Sequence, residues 1–194
     1  MSTTSHRESA EQDSGLLMID AHLHYLRPEW AEALWSPELR RSSSAWPRLF
    51  LRMAPLSDPT VFLRAMDARA IDRAIIYPEI SSAPGPQIPG GAAAALTLCR
   101  AMNDTTAALV ARYPDRLIGL AVTNPLGTSA DVAELRRAVV ALGLRGVAVG
   151  SSYRGDTIDA AAARPFMETV AALDVPVVVH PAAEVVPRPP RDFG

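Results

Sequence analysis

Three of the four histidines follow apolar stretches of the sequence at positions from which they could share one metal ion. His22 and His24 come directly after the apolar run that starts at Leu16, and His180 follows the apolar residues 177–179. Side chains at positions i and i+2 of a strand point the same way, so His22 and His24 can face one ion. Imidazole nitrogens bind zinc at about 2.0–2.1 Å, and three protein ligands leave an open catalytic position. These three residues are therefore predicted metal ligands; the alternative is that His-x-His stands at a strand end by chance.

The segments that must position these histidines alternate between apolar strands and helices. Helices are predicted from Asp58 as N-cap onward, over 92–113, from Thr128 or Ser129 to 142, and over 165–173; strands are predicted over 16–21, 73–77, 116–123, 146–150 and 176–179. This alternation is typical of a parallel sheet covered by helices. Sites in such folds are built at the carboxyl ends of the strands, which is where the three histidines are expected.

The predicted fold class is α/β, and specifically a TIM-type (β/α)₈ barrel that is truncated after strand five. No G-x-G-x-x-G sequence follows the first strand, which argues against a dinucleotide-binding sheet. A full barrel needs about 250 residues, and three strand–helix units are missing from the 194 present. We expect a polar flexible leader over 1–15, a partial barrel over 16–182 with a long first loop (25–59), and a proline-rich end over 183–194.

Composition excludes several classes of function. A net charge of −2 and a pI near 6.1 argue against nucleic-acid or anionic-membrane partners. All 19 basic residues are arginines, which excludes a Walker A phosphate loop and a Schiff-base lysine. The one cysteine, Cys99, cannot form an internal disulfide, and no apolar run is long enough to span a membrane. A cytoplasmic protein without a membrane partner is expected.

Four stretches of the sequence resemble the amidohydrolase-2 branch of the amidohydrolase superfamily. They are MIDAHLHYLRPEW, ARYPDRLIGLAVTNP, ALGLRGVAVGSSYRG and VPVVVHPA, and the resemblance covers residues 17–182. That branch includes aminocarboxymuconate-semialdehyde decarboxylase and the resorcylate-type decarboxylases. The resemblance implies a metal-dependent barrel that acts on a small organic acid, lactone or amide, either as a decarboxylase (a carbon–carbon lyase) or as a hydrolase. It matches His22 and His24 to the ligand pair of strand one and His180 to the ligand of strand five.

The resemblance also implies residues that this sequence does not contain. The family draws a further histidine from strand six and an aspartate from strand eight, beyond the five strands predicted here. The alternative function is therefore a truncated, non-catalytic barrel fragment that acts as an assembly partner. Since there is no lysine to bridge two metals, one divalent ion is expected, with zinc first and manganese second.

Four residues near the predicted strand ends are candidates for substrate binding. Arg27 could bind a substrate carboxylate through two parallel hydrogen bonds, and Trp30 could form a pocket wall. Tyr153 and Arg154 follow the fourth strand, where substrate contacts are also expected. A position in a solvated loop is the alternative for each. The unpaired edge of the fifth strand further predicts a homo-oligomer.

Overall fold

The computed structural model describes residues 16–30, 53–78, 88, 90–153 and 156–181. The predictions for the leader 1–15, for residues 31–52 of the long loop and for the end 183–194 lie outside these residues. The described strands are β1 (Ile19–His24), β2 (Arg73–Tyr77), β3 (Leu117–Gly119), β4 (Ala121–Val122), β5 (Val147–Gly150) and β6 (Val177–His180). The helices are α1 (Ala54–Ser57), α2 (Pro59–Asp67), α3 (Gly91–Arg112), α4 (Ser129–Val140) and α5 (Arg164–Leu173), which a 3₁₀ turn (Ala161–Ala163) precedes.

All described strand pairs are parallel, in the orders β1-β2-β3 and β4-β5-β6. Only Leu120 separates β3 from β4, and its N–H donates to the carbonyl of Ile76 in β2 at 2.9 Å. The next N–H, of Ala121, donates to the carbonyl of Gly146 beside β5 at 2.8 Å. The predicted third strand thus exists as one path that pairs with β2 on one side and β5 on the other. The prediction of an α/β fold with parallel strands is confirmed.

The path of strands is strongly curved. Five neighbouring strands in a flat sheet would place β1 and β6 about 19 Å apart, because adjacent strands lie about 4.8 Å apart. The side chains of His24 in β1 and His180 in β6 nevertheless meet, with 3.2 Å between their Nε2 atoms. The concave side of the sheet therefore faces a common interior, and both outer strands contribute side chains to it.

Two helices begin where short side-chain hydrogen bonds satisfy their first N–H groups. The Asp58 carboxylate accepts the Thr60 N–H at 2.8 Å ahead of α2, as predicted for its N-cap, and the Thr60 hydroxyl and N–H together lower the pKa of that carboxyl. Thr128 begins α4 with a reciprocal pair of bonds to Asp131. No helix among the described residues combines the length and apolar character needed to cross a membrane.

Alternate residues of β5 pack on opposite sides of the sheet. Val147 and Val149 belong to an apolar cluster with Phe166 of α5, on the side that the helices cover. Ala148 between them is fully buried in the cluster that contains Tyr77 of β2. This double-sided burial is the usual reason why strands of a parallel sheet read as continuous apolar runs.

A buried network of polar side chains attaches α3 to strand β4 and to helix α4. The Asn103 side chain is fully buried; it accepts the Val122 N–H at 2.8 Å and donates to the Val122 carbonyl at 3.0 Å. Its amide also donates to the buried Glu134 carboxylate at 2.8 Å. Arg137 donates two more bonds to that carboxylate, which raises the pKa of the Arg137 guanidinium. Asn103 thus supplies Val122 with both backbone hydrogen bonds that a neighbouring strand would provide.

Replacement of this amide by an apolar group of similar size should destabilise the fold. In Asn103→Leu, two backbone groups of Val122 lose their partners while still buried, and we expect a loss of about 3 kcal/mol in the free energy of unfolding. Urea denaturation followed by circular dichroism measures it. Ala108→Leu, at an exposed position of the same helix, is the control and should stay within about 0.5 kcal/mol of wild type. A loss below that value in Asn103→Leu would contradict the role given to this amide.

Candidate metal centre

Three imidazoles meet at the carboxyl-terminal ends of β1 and β6. The Nε2 atoms of His22 and His24 are 3.1 Å apart, and those of His24 and His180 are 3.2 Å apart. One nitrogen from each of the three rings lies within 4.8 Å of the other two. In the described part of the chain, the three residues that the sequence predicts as ligands therefore come together.

The hydrogen bond of His180 fits the protonation that a metal ligand needs. Its Nδ1 lies 2.8 Å from the carbonyl oxygen of Pro181, and a carbonyl only accepts, so Nδ1 carries the proton. The neutral ring then has its lone pair on Nε2, which lies 3.2 Å from the Nε2 of His24. A carbonyl on the far nitrogen is the partner that ligating histidines usually have.

The distances among the nitrogens also suit one small cation. Two nitrogens bound at about 2.1 Å to the same ion lie at most about 4.2 Å apart. Two of the three pairs, at 3.1 and 3.2 Å, are already inside that limit. The remaining pair lies within 4.8 Å. The donor set is neutral imidazole, which suits zinc and other first-row divalent ions.

Tyr77 is a site residue that the sequence analysis did not single out. It ends β2, pairs in register with His24, and its ring is fully buried. The ring centroid lies 5.0 Å from that of His24 and 5.7 Å from that of His22, both edge-to-face. Tyr77 thus forms the wall of the histidine cluster on the β2 side. Its position at a strand end, before Pro78, is the one signal that could have identified it.

Tyr153, a predicted substrate contact, lies at the same edge of the sheet as the cluster. Its hydroxyl accepts the Gly150 N–H at 2.7 Å, and Gly150 pairs in register with His180. A Cβ on Gly150 would lie 3.6 Å from the phenol, so the ring fills the space beside the histidine on the same face. Burial raises the pKa of the Tyr153 hydroxyl, which therefore stays protonated at neutral pH.

The other three predicted substrate contacts have different surroundings. Arg27 is exposed and forms an ion pair with Glu29 at 2.5 Å. The ring of Trp30 is 4% exposed and packs edge-to-face on Tyr25, in the main apolar core. Arg154 lies outside the described residues. Substrate binding by these residues stays a prediction.

Comparison with known proteins identifies the family of the chain that carries these histidines. The sequence profile described as amidohydrolase matches residues 19–193, which is nearly the whole chain. The chain belongs to the amidohydrolase family. The predicted resemblance is confirmed, and the profile includes all three histidines of the cluster.

Two relatives of this chain are decarboxylases. The chain is 36% identical over 87 residues to 2-amino-3-carboxymuconate-6-semialdehyde decarboxylase of Dictyostelium discoideum, a match that covers 45% of the chain and 24% of the relative. It is 32% identical over 145 residues to gamma-resorcylate decarboxylase of Rhodococcus jostii, covering 70% of the chain and 43% of the relative. The chain therefore spans less than half the length of these two relatives.

A solved decarboxylase has a similar fold. The 5-carboxyvanillate decarboxylase of Novosphingobium aromaticivorans superposes on 88% of the chain with a TM-score of 0.72 and 25% identity; 51% of that decarboxylase is covered. Its crystal structure is a complex with manganese and 4-hydroxy-3-methoxy-5-nitrobenzoic acid. The family and the fold are thus shown.

Burial of the Tyr153 hydroxyl predicts a loss of stability at alkaline pH. Its pKa lies above the ordinary value of about 10 in the folded protein. Unfolded chains therefore lose this proton first, so the stabilisation is complete below pH 10 and decreases as the pH rises above it. Between pH 8 and pH 11 the free energy of unfolding should fall by about 1 kcal/mol more in the wild type than in Tyr153→Phe.

Urea unfolding of both proteins at pH 8 and pH 11 gives this difference. The comparison between the two proteins cancels the contribution of Tyr25, whose pKa burial also raises. Equal losses in the two proteins would contradict a buried, neutral Tyr153 hydroxyl.

Proposed function

We propose that this chain binds one divalent metal ion through His22, His24 and His180 and serves the decarboxylation of a small aromatic or unsaturated carboxylic acid. The observation that carries the proposal is the convergence of the three imidazoles within 4.8 Å at the carboxyl ends of parallel strands. The match to two kinds of decarboxylase supports decarboxylation over hydrolysis.

The curved sheet supports the further proposal that these strands form part of a TIM-type barrel. Side chains from the two outermost described strands meet over the concave side, as they do in a barrel interior. A barrel would also surround the histidine cluster with the loops that follow each strand, which is where catalytic residues of such folds lie.

The ion would supply a Lewis acid that polarises an oxygen of the substrate. Zinc was expected first from the sequence, whereas the solved 5-carboxyvanillate decarboxylase contains manganese. This relative favours manganese, whereas the imidazole donor set by itself favours zinc.

Loss of carbon dioxide requires a group that binds the departing carboxylate and a donor that supplies a proton to the carbon left behind. The bond between the carboxylate carbon and the ring or chain carbon breaks, carbon dioxide leaves, and the remaining carbon takes up a proton. A positive side chain is needed to bind the carboxylate, and we propose Arg27 and Arg154 for this role, with Trp30 as a wall of the substrate site. The Tyr153 hydroxyl, held by Gly150 N–H beside His180, is a neutral donor suited to a polar substrate oxygen.

Removal of one ligand should abolish tight metal binding. In His180→Ala the affinity for Mn²⁺ or Zn²⁺, measured by isothermal titration calorimetry, should fall at least about 100-fold, because even residues behind a ligand change affinity 10- to 100-fold. His6→Ala removes the fourth histidine of the chain and is the control. It should keep wild-type affinity and a stoichiometry of one ion. Equal affinities in the two variants would contradict the proposed ligand set.

The reaction is tested with the metal-loaded chain and three substrates. We expect carbon dioxide release from 2,6-dihydroxybenzoate or 5-carboxyvanillate. The rate of this release should be at least about 100-fold lower in His180→Ala. Hydrolysis of an aromatic lactone without carbon dioxide release would instead identify a hydrolase. A chain that binds metal but turns over none of these would overturn the enzymatic proposal and favour the non-catalytic assembly partner. Homo-oligomer formation and a cytoplasmic location stay predictions.

A further inference from the structure

Strand β1 contains one more residue than its partner at the place where it carries the histidines. Asp20 pairs with Ala74 of β2, and Leu23 pairs with Ile76. Three steps along β1 thus correspond to two steps along β2, which is a β-bulge between Asp20 and Leu23. The extra residue lies directly before or at His22.

This extra residue decides on which face of the sheet the histidines lie. Regular continuation of the Asp20–Ala74 pair would place His22 opposite Ile76, on the face away from Tyr77. A shift of one residue moves every later side chain to the other face. With the bulge, His24 pairs with Tyr77 instead. The two rings are then in edge-to-face contact, with their centroids 5.0 Å apart.

The carboxylate of Asp20 closes the bulge. Its Oδ1 accepts the backbone N–H of His22 at 2.9 Å, a bond between a side chain and the backbone two residues later. Aspartate is suited to this bond because its short side chain reaches the N–H at i+2. The bond gives the His22 N–H a partner within β1 where the extra residue interrupts the ladder.

We propose that Asp20 is a positioning residue: its bond to the His22 N–H holds the bulge that directs His22 and His24 toward His180. This inference rests on the metal site of the proposed function. Asp20 acts through the backbone and not as a ligand: its Oδ1 accepts the His22 N–H, and the described side chains close enough to share one ion are the three histidines without Asp20.

Three variants distinguish the hydrogen-bond role of Asp20 from an effect of its charge and from a general loss of stability. Asp20→Ala removes the acceptor, whereas Asp20→Asn keeps an oxygen at the same place and removes the charge. The matched control is Asp72→Ala, because the Asp72 carboxylate accepts the Met18 N–H at 2.7 Å at the other end of the same strand region. All three are compared with wild type by Mn²⁺ titration calorimetry, with urea unfolding alongside.

The Mn²⁺ affinity should fall at least about tenfold in Asp20→Ala, in the range of losses for residues behind a ligand. It should stay within about threefold of wild type in Asp20→Asn and Asp72→Ala. Wild-type affinity in Asp20→Ala would overturn the inference. An equal loss in Asp20→Asn would also overturn it, because the carboxylate would then act through its charge.

A second measurement uses the metal-free chain and keeps the two proposals apart. The proton contacts between the rings of His22 and His24, seen by nuclear Overhauser spectroscopy, should be lost in Asp20→Ala and kept in Asp72→Ala. If the wild type binds no metal, the proposed function fails and this measurement alone decides the role of Asp20. If the wild type binds metal but the ring contacts and the affinity survive in Asp20→Ala, only the role of Asp20 fails.

Discussion

The histidine cluster depends on the curvature of the parallel sheet. Its members come from the first and last described strands, which a flat sheet would hold about 19 Å apart, yet Nε2 atoms from the two strands lie 3.2 Å apart. Curvature of this degree requires close packing on the convex side, where α4 and α5 bury Val147 and Val149 of β5, the middle strand of the order β4-β5-β6. The chemistry at the strand ends is therefore set by packing on the opposite side of the sheet.

Polar contacts maintain this arrangement where strand pairing ends. The last register pair between β2 and β3 is Ile76–Gly119, and beyond it the Asn103 side chain serves both backbone groups of Val122. The same amide bonds to Glu134, which the arginine of α4 neutralises. A buried carboxylate is tolerated only when it is paired and hydrogen-bonded. In this molecule, those partners join two helices to the strand that connects the two halves of the sheet.

The sequence patterns predicted the strands and helix starts more reliably than they predicted which residues surround a given side chain. The apolar runs and the Asp58 and Thr128 caps predicted parallel strands and two helix starts, because those signals are local. The environment of an aromatic residue is not local. Trp30 packs against Tyr25 in the apolar core, whereas Tyr77, which has no motif around it, lines the histidine cluster. Whether a ring fills a core or a site depends on which distant residues reach it.

The i, i+2 spacing by itself determined that His22 and His24 share a direction, and the order of strands determined that His180 stands at the same edge. Only the tertiary structure decided which face of the sheet the pair occupies, because an inserted residue in β1 changes its register against β2. That insertion has no signal in a strand pattern, since Asp20 reads as an ordinary polar residue until its bond to the His22 N–H is seen. The sequence also did not predict the distance between the two outer strands, because the curvature of the sheet arises from packing between helices and strands that are far apart in the chain.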